Sequence, residues 1–154
     1  MSDKGSAGKR DDKSGQQLHQ CVERLPGTVI CYEIVPDDKD RIQEQLILFS
    51  DQKQVHLILT TGGTGPAPRD ITPEATAEII ERPFPGLAEV LRWTGYQKNP
   101  KAILSRGIAG IRGKTLIVNL PGSPRGVLEG MEVLLSVLPH ALEKMLGNEC
   151  ECGS

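Results

Sequence analysis

Aromatic residues are scarce in this sequence, with two Phe, two Tyr and one Trp among 154 residues. Any core it builds must therefore be aliphatic. No uninterrupted apolar run reaches about eighteen residues, which argues against a spanning helix, and the first fifteen residues are polar and charged, unlike a secretory leader. The expected compartment is the cytoplasm, with no membrane partner. Positive charge is not massed either: the formal net charge is −2 and no basic cluster exceeds Lys9-Arg10. A nucleic-acid partner, which would need many Lys and Arg on phosphates, is not expected. His19, His56 and His140 are scattered, and the four cysteines have no zinc-like spacing. Cys21 and Cys31 fall on apolar faces, Cys150 and Cys152 lie in a polar tail, and a domain of this size does not call for a disulfide framework.

Glycine, by contrast, is plentiful and well placed. Val55-His56-Leu57-Ile58-Leu59 reads as a buried strand, Thr60-Thr61-Gly62-Gly63-Thr64-Gly65 as a glycine-rich turn, and Thr72-Pro73 as an N-cap followed by proline at the first helical position. Glycines in such a turn let backbone N–H groups approach the oxygens of an anion. The loop lacks the Gly-Lys-Ser/Thr ending of a P-loop and the glycine spacing of a dinucleotide fingerprint, and by itself it could equally be a tight turn. The same logic recurs at Pro121-Gly122-Ser123-Pro124, after the strand candidate Thr115–Leu120.

Between these points the pattern alternates. Ser14 opens a helix with Leu18, Cys21, Val22 and Leu25 on one stripe, ending at Pro26-Gly27, and Thr28 to Val35 reads as a strand. Asp37 and Asp38 open a helix with Ile42, Leu46 and Phe49 inward; helices follow at about 73–81 and 87–93, and 102–104 is a further strand candidate. Gly107, Gly110 and Gly113 suggest turns or a small hairpin, and the closing helix carries Val127, Met131, Leu134, Leu135, Leu138 and Leu142, with Pro139 able to kink it. The expectation is one α/β domain over 1–154: a three-layer arrangement with a mainly parallel sheet covered by helices on both faces, a loop-like start at 1–13 and a flexible tail at 147–154. Ligands of such sheets sit at the carboxyl ends of the strands, where both glycine turns fall.

Asp37 and Asp70 would reach the same rim. Asp37 could be a plain N-cap, and Asp70, two residues before the expected cap, could close an Asx-turn. Beside bound phosphates both would be repelled unless a divalent ion intervened, and magnesium takes one or two carboxylates together with phosphate oxygens. Arg69 could clamp a phosphate or be a solvated loop charge.

Ser2–Gly8 with Asp12–Gly15, Val35–Asp38, Thr60–Pro73, Ala102–Arg106 and Asn119–Pro124 together resemble the molybdenum cofactor biosynthesis family. Pro66 resembles the family's adenylyltransferase branch. The resemblance implies a molybdopterin-binding-like fold and a homotrimer that binds molybdopterin and Mg-ATP, transfers AMP to the terminal phosphate of molybdopterin and releases pyrophosphate. Metal insertion would fall to a later enzyme, a molybdenum insertase. By position, the resemblance implies that Asp37 and Asp70 serve catalysis and Mg2+, and that Gly62, Gly63, Thr64, Gly65, Pro121, Gly122 and Ser123 form ligand-binding turns. Ser2, Asp3 and Ser105 are implied to border the cleft. Relatives carry an apolar strand ahead of the Ser-Asp motif, where Met1 stands here, so the sheet is expected to hold a place this sequence does not fill. The contrasting reading is a noncatalytic pterin-binding or scaffolding module on the same fold.

Overall fold

A computed structural model describes residues 12–147. Ser2, Asp3, the start up to residue 11, Cys150, Cys152 and the tail from 148 lie outside the described residues.

The first helix, α1 (Lys13–Val22), is capped by Asp12 rather than Ser14: the Asp12 carboxylate accepts the Gly15 N–H at 2.9 Å. Ser14 instead donates to the Gly122 carbonyl at 2.8 Å, tying this helix to the second glycine turn. Likewise α2 (Lys39–Ile47) is capped by Asp38, whose Oδ1 accepts the Arg41 N–H at 3.0 Å. Asp37 is thereby released from the capping role. A π-helical turn, Leu48–Gln52, leads to β1 (Leu57–Thr61). Then come α3 (Thr72–Ile79), the two-residue β2 (Arg82–Pro83), α4 (Pro85–Lys98), a 3-10 turn (Pro100–Leu104), β3 (Ala109–Arg112), β4 (Thr115–Leu120) and α5 (Pro124–Met145).

Further expectations need correction. Thr72 does not cap α3: Ile71 occupies the cap position without a side-chain hydrogen bond, and Thr72 begins the helix. Residues 102–104 form a 3-10 turn and not a strand, because Asn99 caps Lys101 N–H and Pro100 starts a tight helical turn. Residues 28–35 pair with no described strand, although their composition is β-rich. α4 also runs past the expected end at Trp93 to Lys98, stopping at Asn99-Pro100.

The sheet order is β1-β4-β3-β2. β1 runs parallel to β4 from Leu57↔Leu116 to Thr61↔Leu120, while β4 with β3 and β3 with β2 are antiparallel. The described sheet is thus mixed, because Gly113 (φ 53°) folds β3 back onto β4 in a short hairpin. Helices cover both faces as the alternation requires. Every residue of β4 is buried, and they sort by parity: Leu116, Val118 and Leu120 pack with Leu18, Val127, Met131, Leu134 and Leu138 of α1 and α5, while Ile117 joins Val35, Ile42, Leu46, Ala75 and Ile79 on the α2/α3 side. Full burial of each Leu or Ile contributes about 1.5–3 kcal/mol, so the two clusters carry most of the apolar driving force.

At the far side of β1 the sheet stops. Leu116 N–H donates to the His56 carbonyl and Gly62 N–H to that of Leu120, so the even-numbered residues of β1 turn their backbone toward β4. The N–H and C=O of Leu57 and Leu59 face the other way, where no described strand pairs with them. Residues 28–35 run across from that edge, separated from it by a cavity of about 470 Å³. In this position Ile30 is 61% exposed.

Candidate active site

The parallel pair β1 and β4 delivers both glycine turns to one rim. Gly62 and Gly63 have φ of 93° and 64°, a conformation that costs any residue with a Cβ, so the chain can leave β1 sharply. A Cβ on Gly122 would lie 3.0 Å from the Gly62 Cα, so the turns press against each other backbone to backbone. Thr61 Oγ1 donates to the Pro121 carbonyl at 2.7 Å and joins them further.

Above this junction lies a cavity of about 440 Å³. Gly63, Thr64, Gly65, Asp70, Ser105, Pro121, Gly122 and Ser123 all line it. Of the remaining site candidates, Gly62 lies buried beneath, and Asp37 sits behind the glycine loop, where its Oδ1 would be 3.4 Å from a Cβ on Gly63. The two carboxylates thus flank one loop, Asp37 against Gly63 and Asp70 against Gly65, whose Cβ would stand 2.7 Å from Asp70 Oδ2.

Each side chain has a local cause for its place. Asp70 Oδ2 accepts the Ala67 N–H at 3.0 Å while Asp70 N–H donates to the Ala67 carbonyl at 2.8 Å, a reciprocal pair that closes the turn 67–70. The local turn interaction therefore exists and engages one carboxylate oxygen, leaving Oδ1 outside that pair. Ser123 caps α5, its Oγ accepting the Gly126 N–H at 3.1 Å, so the positive end of a 22-residue helix opens into the cavity. Ser105 Oγ approaches Thr64 Oγ1 at 3.4 Å. Below, the buried Asn119 amide donates to Thr60 Oγ1 and Thr76 Oγ1 at 3.0 and 3.1 Å and accepts from Ile108 N–H at 3.3 Å, fixing the floor to α3 and to the approach to β3.

Two features escaped sequence reasoning. Arg69 is exposed and lines no part of the cavity; the cation that grips the loop is Arg106, which follows Ser105. Its Nε donates to the Gly65 carbonyl at 2.9 Å, and its Nη groups reach the Asp70 carbonyl and the Glu74 carboxylate. The Arg106 hydrogen bond holds the Glu74 carboxyl below its usual range. The second is Thr72 Oγ1, fully buried without a hydrogen-bond partner and so close to Gly63 that a Cβ there would collide with it. Its neighbours in sequence signalled a cap; only the fold shows it facing the Asp37 side of the loop.

Among the described residues no three His, Cys, Asp or Glu side chains gather as a protein-only metal cage. Cys21 and Cys31 are free thiols, and burial pushes the Cys21 thiol up. No described helix is long and apolar enough to cross a membrane.

The fold and the cleft together define an α/β protein with a cavity at the carboxyl ends of two parallel strands, lined by a glycine turn that two carboxylates flank. Residues 1–140 match the family model described as "Probable molybdopterin binding domain". The chain is 44% identical over 149 residues to the molybdopterin adenylyltransferase of Helicobacter pylori, covering 96% of this chain and 85% of that protein. It is 40% identical over 134 residues to the molybdopterin adenylyltransferase of Escherichia coli K12, covering 86% and 69%. Among solved structures it resembles the molybdopterin biosynthesis enzyme MoaB of Thermus thermophilus, with TM-score 0.90, 51% identity, and 96% and 92% of the two chains covered. The Mog protein of Mycobacterium ulcerans gives TM-score 0.87 at 39% identity, with 96% and 93% covered. This chain belongs to the molybdopterin-binding family of molybdenum cofactor biosynthesis.

Proposed function

We propose that this protein is a molybdopterin adenylyltransferase, a nucleotidyltransferase that moves AMP from ATP to the terminal phosphate of molybdopterin. The observation that carries the reading is the pair of carboxylates, Asp37 and Asp70, on the two sides of a glycine turn whose backbone opens into the cavity. The adenylyltransferase names of relatives 40% and 44% identical support the same chemistry.

In this reading a phosphate oxygen of molybdopterin attacks the α-phosphorus of ATP, forming a new P–O bond. The bond from that phosphorus to the bridging oxygen of pyrophosphate breaks, and the leaving group carries away the electron pair. No general base is needed, because a phosphate nucleophile is already ionised. The chain's contribution is placement: backbone N–H groups of the turn at 63–65 and the N-terminus of α5 hold phosphate oxygens, and in-line alignment supplies much of the acceleration. Ser105, Pro121, Gly122 and Ser123 complete the ligand turns.

The donor set suits Mg2+. This hard ion uses one or two carboxylates plus phosphate and water oxygens, so Asp37 and Asp70 suffice without a third acidic residue, and the unpartnered Thr72 hydroxyl adds a hard oxygen on the Asp37 side. Asp37 and Asp70 would hold the ion. When bound it would offset the charge developing on the phosphates.

The assembly proposed is a homotrimer in the cytoplasm, with the adenylylated pterin passing to a molybdenum insertase. An exposed apolar patch on α4 and the turn after it, Val90, Trp93, Tyr96, Ile103 and Leu104, supports self-association. The deciding experiment incubates the purified protein with molybdopterin, ATP and Mg2+ and looks for adenylylated pterin and pyrophosphate. Pterin binding without product would replace the enzyme by a noncatalytic binding module.

A further inference from the structure

We infer that Arg106 is a positioning residue that sets the distance between the glycine turn and the Asp70 carboxylate, an inference resting on the role proposed above for Asp70. The loop from Thr64 to Asp70 leaves β1 and enters α3, and its own arginine, Arg69, is exposed. What holds the loop comes from a different part of the chain, the connection between the 3-10 turn and β3. Arg106 N–H donates to the Thr64 carbonyl at 2.7 Å, Nε to the Gly65 carbonyl at 2.9 Å, and Nη2 to the Asp70 carbonyl. Nη1 meets the Glu74 carboxylate in the first turn of α3, which fixes the plane of the guanidinium.

One rigid, planar group thereby spans Gly65 and Asp70, the residues on either side of the turn that Asp70 itself closes through Ala67. A guanidinium offers five N–H donors in a fixed fork, so the separation of its acceptors is set by covalent geometry. The ammonium of lysine is a single point on a flexible stem and cannot impose that separation. Arg106 does not line the cavity, whereas its neighbours Ser105 and Gly107 do. Its effect on any reaction must pass through the loop. Asp70 is the reactive-side group the loop carries, and misplacement of about 1 Å in such a site costs on the order of a hundredfold in rate.

The test uses Arg106→Lys and Asp70→Asn singly and together, with two readouts. Amide hydrogen exchange of the ligand-free protein should be about tenfold faster or more at Ala67 and Asp70 in Arg106→Lys, with β4 amides unchanged; equal protection in the loop overturns the clamp whatever the activity. In the adenylylation assay, kcat should fall about 10- to 100-fold with KM for ATP changed less than about threefold. In the Asp70→Asn background the same Arg106→Lys change should cost almost nothing further, since the lost effect travelled through Asp70. A full, additive loss on that background, or wild-type kcat in Arg106→Lys, refutes the positioning role. A wild-type protein that makes no adenylylated pterin refutes the proposed function and the catalytic consequence with it, while the exchange result still decides whether the clamp exists.

Discussion

Replacing Asn119 by Leu should destabilise the protein by about 3 kcal/mol, and the cost can be assembled group by group from the hydrogen bonds lost. Asn119 is 3% exposed and its amide makes three hydrogen bonds, to Thr60 Oγ1, Thr76 Oγ1 and Ile108 N–H. Leu has the same branching and number of heavy atoms but no polar atoms, so no cavity opens, and the gain from burying its two methyl groups is opposed by the cost of fitting their larger volume. The Ile108 N–H loses its side-chain acceptor, and a donor left unsatisfied away from water costs about 1–3 kcal/mol. The Thr76 hydroxyl keeps its bond to the Thr72 carbonyl at 2.8 Å, so it loses only an incoming donor. Thr60 and Thr76 each forfeit a buried hydrogen bond worth about 0.5–1.5 kcal/mol. For a protein of this size about 3 kcal/mol corresponds to a fall in Tm of roughly 6–12 °C. Thermal melts by circular dichroism at fixed concentration measure it. A fall below about 2 °C would mean that water or a shifted neighbour satisfies these groups, and that Asn119 does not organise the cavity floor.

Asp70→Asn should lower kcat by about a hundredfold or more while pterin affinity stays within about threefold, read from steady-state rates and equilibrium binding; parallel loss of both contradicts a role confined to the transition state. Ser123→Ala should cost about 1 kcal/mol in thermal melts with ligand affinity intact, because the observed partner of Ser123 is the Gly126 N–H; lost affinity at unchanged Tm would put the hydroxyl on a ligand. Burial, and then the hydrogen bond to Asp12, push the Tyr32 phenol up to about 12. Its neutral form thus contributes stability that is complete below about pH 10 and lost as pH rises through about 12. Absorbance titration at high pH should show one late tyrosine in the wild type and an earlier one in Asp12→Asn, and identical curves would remove Asp12 from the account. Adding an apolar strand of about six residues, roughly 20 Å long, as a separate peptide should raise Tm and ATP affinity together by pairing with Leu57 and Leu59, which no described strand meets; melts and binding that match the peptide-free protein would show that no strand adds there.

Elements whose cause is local could be read from the sequence. Leu116-Ile117-Val118 is a continuous apolar run because β4 is covered on both faces, and Ser123-Pro124 starts α5 by capping and fixed φ alone. The misread elements depend on partners that lie far along the chain. Residues 28–35 have a strand's composition, but strand formation is a property of a pair, and no described neighbour supplies one. Residues 102–104 look like a strand until Asn99 and Pro100 are seen to wind them. Caps slipped by one or two residues, Asp12 for Ser14 and Asp38 for Asp37, because adjacent polar residues carry the same chemistry and only the entry angle of the chain selects one. That slip mattered at the site, since moving the cap to Asp38 leaves Asp37 beside Gly63. Asp70, the glycine turns and Ser123 could be read locally. Arg106 could not, because 36 residues separate it from the Asp70 carbonyl it holds.

Trp93, the sole tryptophan, is 62% exposed and stacks on Tyr96 with ring centroids 6.0 Å apart, while its neighbours Leu91, Arg92 and Gly95 line the cavity. The molecule therefore carries one indole, excitable apart from its two tyrosines, on the outer side of the helix whose inner side walls the cleft. Its emission is that of a water-facing indole in a lone subunit and shifts to the blue if subunits cover α4. Dilution from micromolar to nanomolar concentration, followed by that colour alone, would report subunit association without a label, and ligand addition at fixed assembly would report how far occupation of the cleft is felt through the thickness of one helix.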